Sequence, residues 1–255
     1  MRSLVLKTSL PLLLLASCAH HLAEAGLDEH LAAGRPREAL EQLGEVSDPK
    51  LRVYERALLL HLAQDWAGSR EAFAEAAGTR GAFAPAAEET RHLQRLDGLN
   101  GAMLGEAWPE GLDAGSANLV VVVEREPRTG CPQFASPDTT SVSCLAPDAG
   151  SLELRVDDQR DQVVLAPWLD VRAAMTSAQE AKLAAARSFA AEHPFEAMSR
   201  LKPLELGCRS APQRLDVARL TVSPGRHVLL LTGARRREVL VDVPREGRAL
   251  AVLSP

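Results

Sequence analysis

Aromatic residues are scarce in this chain. Tyr, Trp and Phe make up 4% of its 255 residues, so a core has to be built from aliphatic side chains, and alanine and leucine dominate the composition. Cysteine is sparse as well: four in the whole chain exclude a small, disulfide-dense scaffold. None of the four stands in a closely spaced pair of the kind zinc needs, so neither a metal site nor a cofactor is expected. The chain also lacks H-E-x-x-H, G-x-S-x-G and G-x-x-x-x-G-K-S/T, the signatures of zinc peptidases, α/β-hydrolases and P-loop proteins. Gly98, Gly101 and Gly105 miss the dinucleotide spacing, and no strand leads into them. One S-x-x-K pattern occurs, Ser47-Asp48-Pro49-Lys50, without the Ser-Asp-Asn and Lys-Thr-Gly elements that give it meaning in penicillin-recognising enzymes. Pro49 there fits a turn before a helix. Asp157 and Asp158 fall in a polar turn and need not face each other. The chain is therefore read as no enzyme, with an unrecognised hydrolase as the outlying alternative.

What is present begins at the first residue. Residues 1–17 read MRSLVLKTSLPLLLLAS: two basic residues, a short apolar stretch from Leu10 to Leu15, then small residues, which is the plan of a secretory signal. The stretch falls short of the roughly 20 residues that cross a bilayer. Leu15-Ala16-Ser17-Cys18 resembles a bacterial lipobox. The resemblance implies cleavage between Ser17 and Cys18, a diacylglyceryl thioether on Cys18, and acylation of its new amine. Two or more acyl chains suffice for stable anchoring where one does not. The competing reading is a plain signal peptide that happens to contain a cysteine. Ala19 follows, where Asp would signal inner-membrane retention, so the expected place is the outer membrane with the body facing the periplasm. His20 and His21 lack further donors at fixed spacing and read as a solvated tether.

Charge is unevenly spread. The chain carries a net −5, and losing Arg2 and Lys7 with the leader takes it to −7. Residues 200–255 nevertheless hold eleven Lys and Arg against five Asp and Glu. An exported protein has no nucleic acid to meet, so none is expected as a partner. Arg235, Arg236 and Arg237 are the candidate partner-binding residues, able to face anionic headgroups or an acidic protein, or to sit at a polar hairpin tip in water. Cys131 and Cys144 flank a segment rich in Pro, Ser, Thr and Asp (CPQFASPDTTSVSC). A disulfide between them would close a small loop and contribute about 3 kcal/mol in the chain-entropy picture. Cys208 is then odd, buried or paired with either of them.

The fold expectation is α+β. Residues 18–100 read as a helical domain: Ala, Leu, Glu and Arg abound, and apolar residues recur at helical spacing, as in Tyr54, Ala57, Leu58 and Leu62. Gly34-Arg35-Pro36, Ala39, Leu43 and Val46 overlay Gln64-Asp65-Trp66, Ser69, Phe73 and Ala76 at a shift of 30 residues. That is similar to the turn and second helix of a tetratricopeptide (TPR) hairpin, although the usual period is roughly 34. A generic antiparallel bundle would give much the same spacing. A third helix is expected near Phe83 to Leu96. Residues 101–117 read as a Gly-rich linker, and 118–255 as a β-rich, mostly antiparallel domain with an inserted helical segment at about 172–202. Expected strands are 118–124 (NLVVVVE), 151–156, 162–165, 215–222, 227–232, 238–243 and 249–253, the last ones forming an antiparallel meander joined to at least the valine strand. Arg219 either points outwards or pairs with Asp216, and His227 is expected to be structural.

The valine strand, followed much later by PQRLDVARLTVSPGRHVLLL, resembles a family of Gram-negative outer-membrane lipoproteins with a TPR-like first half and a β-rich second half. Pro212, Ala218, Arg219, Leu220, Pro224, Gly225 and His227 carry the match, while the tryptophan of an upstream Asp-x-Arg-x-Trp element is absent and Arg209 is its only remnant. The final hairpins are similar to PEGA-type β modules. The resemblance implies architecture and supplies no activity. The functional expectation is a lipid-anchored periplasmic protein that acts as a protein-interaction or envelope scaffold module and docks an envelope protein. The alternative is a cell-wall accessory factor regulating peptidoglycan synthesis.

Overall fold

The computed structural model describes residues 27, 29–46, 48–81, 83–125, 152–157, 163–171, 208, 210–212, 214–233 and 235–254, with scattered positions between 177 and 193. The architecture is mixed α+β, with helices followed by strands in two sheets. Helical positions 29–32 lead into α1 (Pro36–Glu41), which tightens into a 3₁₀ turn at Gln42–Glu45. Next come α2 (Pro49–Leu62), α3 (Trp66–Gly78) and α4 (Ala87–Met103). The start of α2 is set by Asp48, whose Oδ1 accepts the Lys50 and Leu51 N–H groups at 2.9 and 3.0 Å, with Pro49 just inside the helix. The other oxygen, Oδ2, accepts the Phe83 N–H at 3.0 Å and ties the approach to α4 to the same cap.

The strands are β1 (Leu119–Glu124), β2 (Glu153–Val156), β3 (Ala166–Asp170), β4 (Arg214–Leu220), β5 (Gly225–Thr232), β6 (Arg236–Val243) and β7 (Ala249–Leu253). One sheet runs β3-β4-β1-β7 and the other β2-β5-β6. Pairing is antiparallel except between β1 and β7, which run parallel with Val121 beside Ala251. The molecule has three layers. Val120 and Val122 of β1 face Leu58, Phe73, Leu96 and Leu99 of the helices. Leu119, Val121 and Val123 face Leu154, Leu229, Leu231 and Val243 of the second sheet. Alternate residues of a strand point to opposite faces. A strand covered on both sides therefore has to be apolar at every position, which is why five aliphatic residues stand in a row.

Several expectations need correction. The strand expected at 162–165 shrinks to one bridge between Val163 and Leu154, and Val164 is 84% exposed. The pairing moves on to β3, an edge strand with a register shift between Pro167 and Leu169, a place where proline is tolerated. The C-terminal meander reduces to the β5–β6 hairpin with β2 at its side, because β4 and β7 both lie against β1 in the other sheet. Helix α4 runs on to Met103, past the expected end near Leu96. Gly98 and Gly101 are helical: a Cβ on Gly98 would stand 3.1 Å from the Pro109 side chain, and one on Gly101 2.6 Å from Arg70 Nη1. These glycines serve close packing and mark no turn. Leu112 and Ala114, from the stretch read as linker, belong to the core shared by helices and sheet. In the expected helical insertion, the described positions between 177 and 192 are helical and exposed.

Candidate functional site

Two helix ends 30 residues apart are built alike. At the first, Arg35 N–H donates to the His30 carbonyl at 2.8 Å and Gly34 N–H to that of Leu31 at 2.9 Å. At the second, Asp65 N–H donates to Leu60 and Gln64 N–H to His61, both at 2.9 Å. This pair of bonds is the Schellman arrangement, which puts one residue in the left-handed region. Gly34 takes φ +64, as glycine does without strain, whereas Gln64 holds φ 61 with a side chain attached. Ala39 and Ser69, the small residues of the overlay, are both fully buried.

Both corners open onto a cavity of about 490 Å3. Its other walls are the ends of β1 (Glu124, Arg125) and β7 (Leu253, Ser254) and the start of β6 (Arg237, Glu238, Val239). The first corner and α1 contribute Arg35, Arg37 and Glu38, and the second Leu62 and Gln64. Most of the charges are committed. Arg35 pairs with Glu38 at 3.0 Å, and both Nε and Nη2 of Arg125 reach Asp216 at 2.7 Å. Arg37 and Arg237 are exposed, and among the described residues no carboxylate pairs with either. Across the rim, the guanidinium ends of Arg235 and Arg237 fill the space where a Cβ on Gly34 would stand, so these side chains reach over the first corner.

The wall formed by Glu124 is the outer end of a buried polar chain. Ser69 Oγ donates to the Ala57 carbonyl at 2.7 Å and accepts from Asn100 Nδ2 at 2.8 Å. Asn100 must then turn its oxygen to His61, so His61 Nδ1 is a donor. His61 Nε2 meets Glu124 Oε1, and Ser254 Oγ donates to Glu124 Oε2 at 2.6 Å. Burial alone would pull the His61 pKa down, but the Glu124 charge and the bonds to Glu124 and Asn100 raise it on balance. Burial alone would push Glu124 up, but the His61 charge and its bond, with help from Ser254, hold it below its ordinary value. Between pH 4.5 and 6.5 the pair is therefore imidazolium and carboxylate, and the chain joins α2, α3, α4, β1 and the residue after β7.

Other buried polar groups fasten the layers. Glu89 of α4 accepts the Cys208 N–H at 2.8 Å, and Glu55 of α2 accepts the Ser210 N–H at 3.0 Å. His92 Nε2 donates to the Pro212 carbonyl, while its Nδ1 has no partner among the described residues. Burial lowers the His92 pKa to about 4, so it is neutral. At the far end of β5, His227 Nδ1 lies 2.8 Å from Asp157 Oδ2, and Nε2 lies 2.7 Å from the Ser223 carbonyl. Arg219 reaches the Asp113 carbonyl, while Asp216 is held by Arg125 and Arg214, so the alternative of an Arg219–Asp216 pair drops out.

Of the residues singled out in the sequence, Arg237 lines the cavity, Arg235 is half-buried against Gly34, and Arg236 is exposed with Glu238 at 3.9 Å. Ser17, Cys18, Cys131, Cys144, His20, His21 and Ser47 lie outside the described residues. Cys208 is fully buried. Arg37, Gln64, His61 and Glu124 were not among the expected site residues. Arg37 and Gln64 had a signal: each sits at or beside the turn of an overlaid repeat, and Gln stands where the other copy has Gly. Among the described residues, no cluster of His, Cys, Asp and Glu is arranged to hold a metal ion. Compared with protein-family models, with curated proteins and with solved structures, the chain matches none.

Proposed function

We propose that this is a lipid-anchored protein of the outer membrane, facing the periplasm, and that its body is a protein-interaction or envelope scaffold module. The observation that carries the reading is the stretch Leu15-Ala16-Ser17-Cys18 behind a short apolar run with two basic residues. Two features of the body support it. Among the described residues no helix is long and apolar enough to cross a membrane, so attachment falls to the acylated Cys18. Leu27 is already buried in the body, and the chain between Cys18 and Leu27 spans about 30 Å at full stretch, which holds the body close to the headgroups.

The helices form TPR-like hairpins in this reading. The support is the repeated corner at Gly34 and Gln64, with α1 and α3 starting at Pro36 and Trp66. The partner is an envelope protein. No reaction is assigned: the hydroxyl, imidazole and carboxyl groups that meet in the interior bond one another or the backbone.

The test is mass spectrometry of the native chain together with cell fractionation. The expected first residue is a triacylated Cys18, and Cys18→Ala moves the protein out of the membrane fraction. A first residue downstream of position 18, or an unmodified thiol there, overturns the reading.

A further inference from the structure

Two arginines without a carboxylate stand on different walls of one cavity, Arg37 from α1 and Arg237 from β6. Each offers a guanidinium with open donors to an anion that enters the cavity. A second observation belongs to the same cavity. Gln64 lines the same cavity and keeps a left-handed φ of 61, where its counterpart in the other corner is glycine. Strain retained at a position with a donor-and-acceptor side chain points to use of that side chain. The rest of the lining includes Leu31, Leu62, Val239 and Leu253, and among the described residues no aromatic side chain contributes.

We infer that this cavity binds a small peptide-type acid: a free carboxylate held by Arg37 and Arg237, an amide read by Gln64, and an aliphatic side chain against Leu62 and Val239. Guanidinium groups take planar carboxylates by paired hydrogen bonds. A nucleotide base would lack an aromatic surface to stack on, and bare phosphate would leave the aliphatic lining in water. The volume, about 490 Å3, suits a ligand of one to a few residues. The inference concerns this cavity alone and does not depend on the anchor.

The experiment is calorimetric titration of the full chain in detergent, at low salt, with N-acetyl-alanyl-leucine, its carboxamide and inorganic phosphate. The acid is expected to bind saturably, and the carboxamide at least about tenfold more weakly. Arg37→Gln and Arg237→Gln each weaken the acid by about tenfold, consistent with loss of one charged hydrogen-bond pair. Both side chains are exposed, so unchanged melting curves verify the fold, and Arg236→Gln leaves binding unaltered. Gln64→Gly weakens the acid while the fold holds. No saturable binding, equal affinity for acid and carboxamide, phosphate binding as tightly as the acid, or indifference to both arginine substitutions overturns the inference.

Discussion

His61 Nε2 and Glu124 Oε1 meet where solvent does not reach, with the side chains 0% and 1% exposed. One sits in the last turn of α2 and the other ends β1, so the helical layer and the central strand are joined by an ion pair as well as by packing. Glu124→Gln removes the charge that keeps the proton on buried His61, so the ring turns neutral and the ion pair is lost. The expected loss in urea unfolding at a pH between 4.5 and 6.5 is about 3–5 kcal/mol.

The pair also has a pH signature. The His61 pKa is raised above 6.5 in the folded chain, so its contribution is full below 6.5 and fades as pH climbs through the folded value. The Glu124 pKa is depressed below 4.5, so its contribution is full above 4.5 and fades as pH falls through the folded value. Comparing wild type with Glu124→Gln across pH should therefore show the largest difference between 4.5 and 6.5.

His92 acts in the opposite sense. Its folded pKa is lowered from 6.5 to about 4, so the unfolded chain takes up a proton first as pH falls through that interval. The penalty grows to about 3 kcal/mol by pH 4. His92→Gln keeps a donor for the Pro212 carbonyl and removes the titration. Denaturation midpoints of the variant should decline less than those of wild type between pH 6.5 and 4.

His227 offers a local readout. The Asp157 bond, then the Ser223 carbonyl, raise its pKa, while the Val228 N–H and His227 lower that of Asp157. Their mutual support is full from 3.8 to 6.5 and is lost above 6.5 as His227 deprotonates, and below 3.8 as Asp157 gains a proton. Asp157→Asn should bring the His227 titration, followed by NMR, down towards 6.5.

The two helix corners make a paired prediction. Gln64→Gly relieves a left-handed side chain and should stabilise by about 1 kcal/mol. Gly34→Ala should destabilise by about 1 kcal/mol, because a side chain at φ +64 is strained, with a further smaller cost for moving the Arg235 guanidinium aside. Adding Arg235→Ala should return part of the loss, and thermal melts of the four proteins decide it.

Much of this organisation can be seen in the chain before it folds, where the cause is local. Both faces of β1 are covered, and that requirement writes itself as consecutive valines. The two corners share a backbone motif, and that motif writes itself as an offset of 30 residues. Elsewhere the cause is distant. Glu55, Glu89 and Glu124 read as ordinary surface charges, because their partners lie at Ser210, Cys208 and His61. Nothing in the sequence marks Gly98 and Gly101 as packing positions inside α4, because the side chains beside them come from Pro109, Arg70 and Glu106. The parallel placing of β7 leaves no local trace, since an apolar strand pairs equally well in either direction. The cavity divides the same way: the arginine run at 235–237 is visible, while Arg37 joins it only through the fold.

The parallel contact of β1 with β7 joins strands more than a hundred residues apart, with every other described strand between them. Until β7 is synthesised, β1 has an open edge of valine backbone, and Glu124 lacks the hydroxyl of Ser254. Such late, distant pairing slows folding and prolongs the sticky interval. A premature stop that removes only β7 would thus strike the centre of the molecule, leaving a nascent chain inviting to chaperones and proteases.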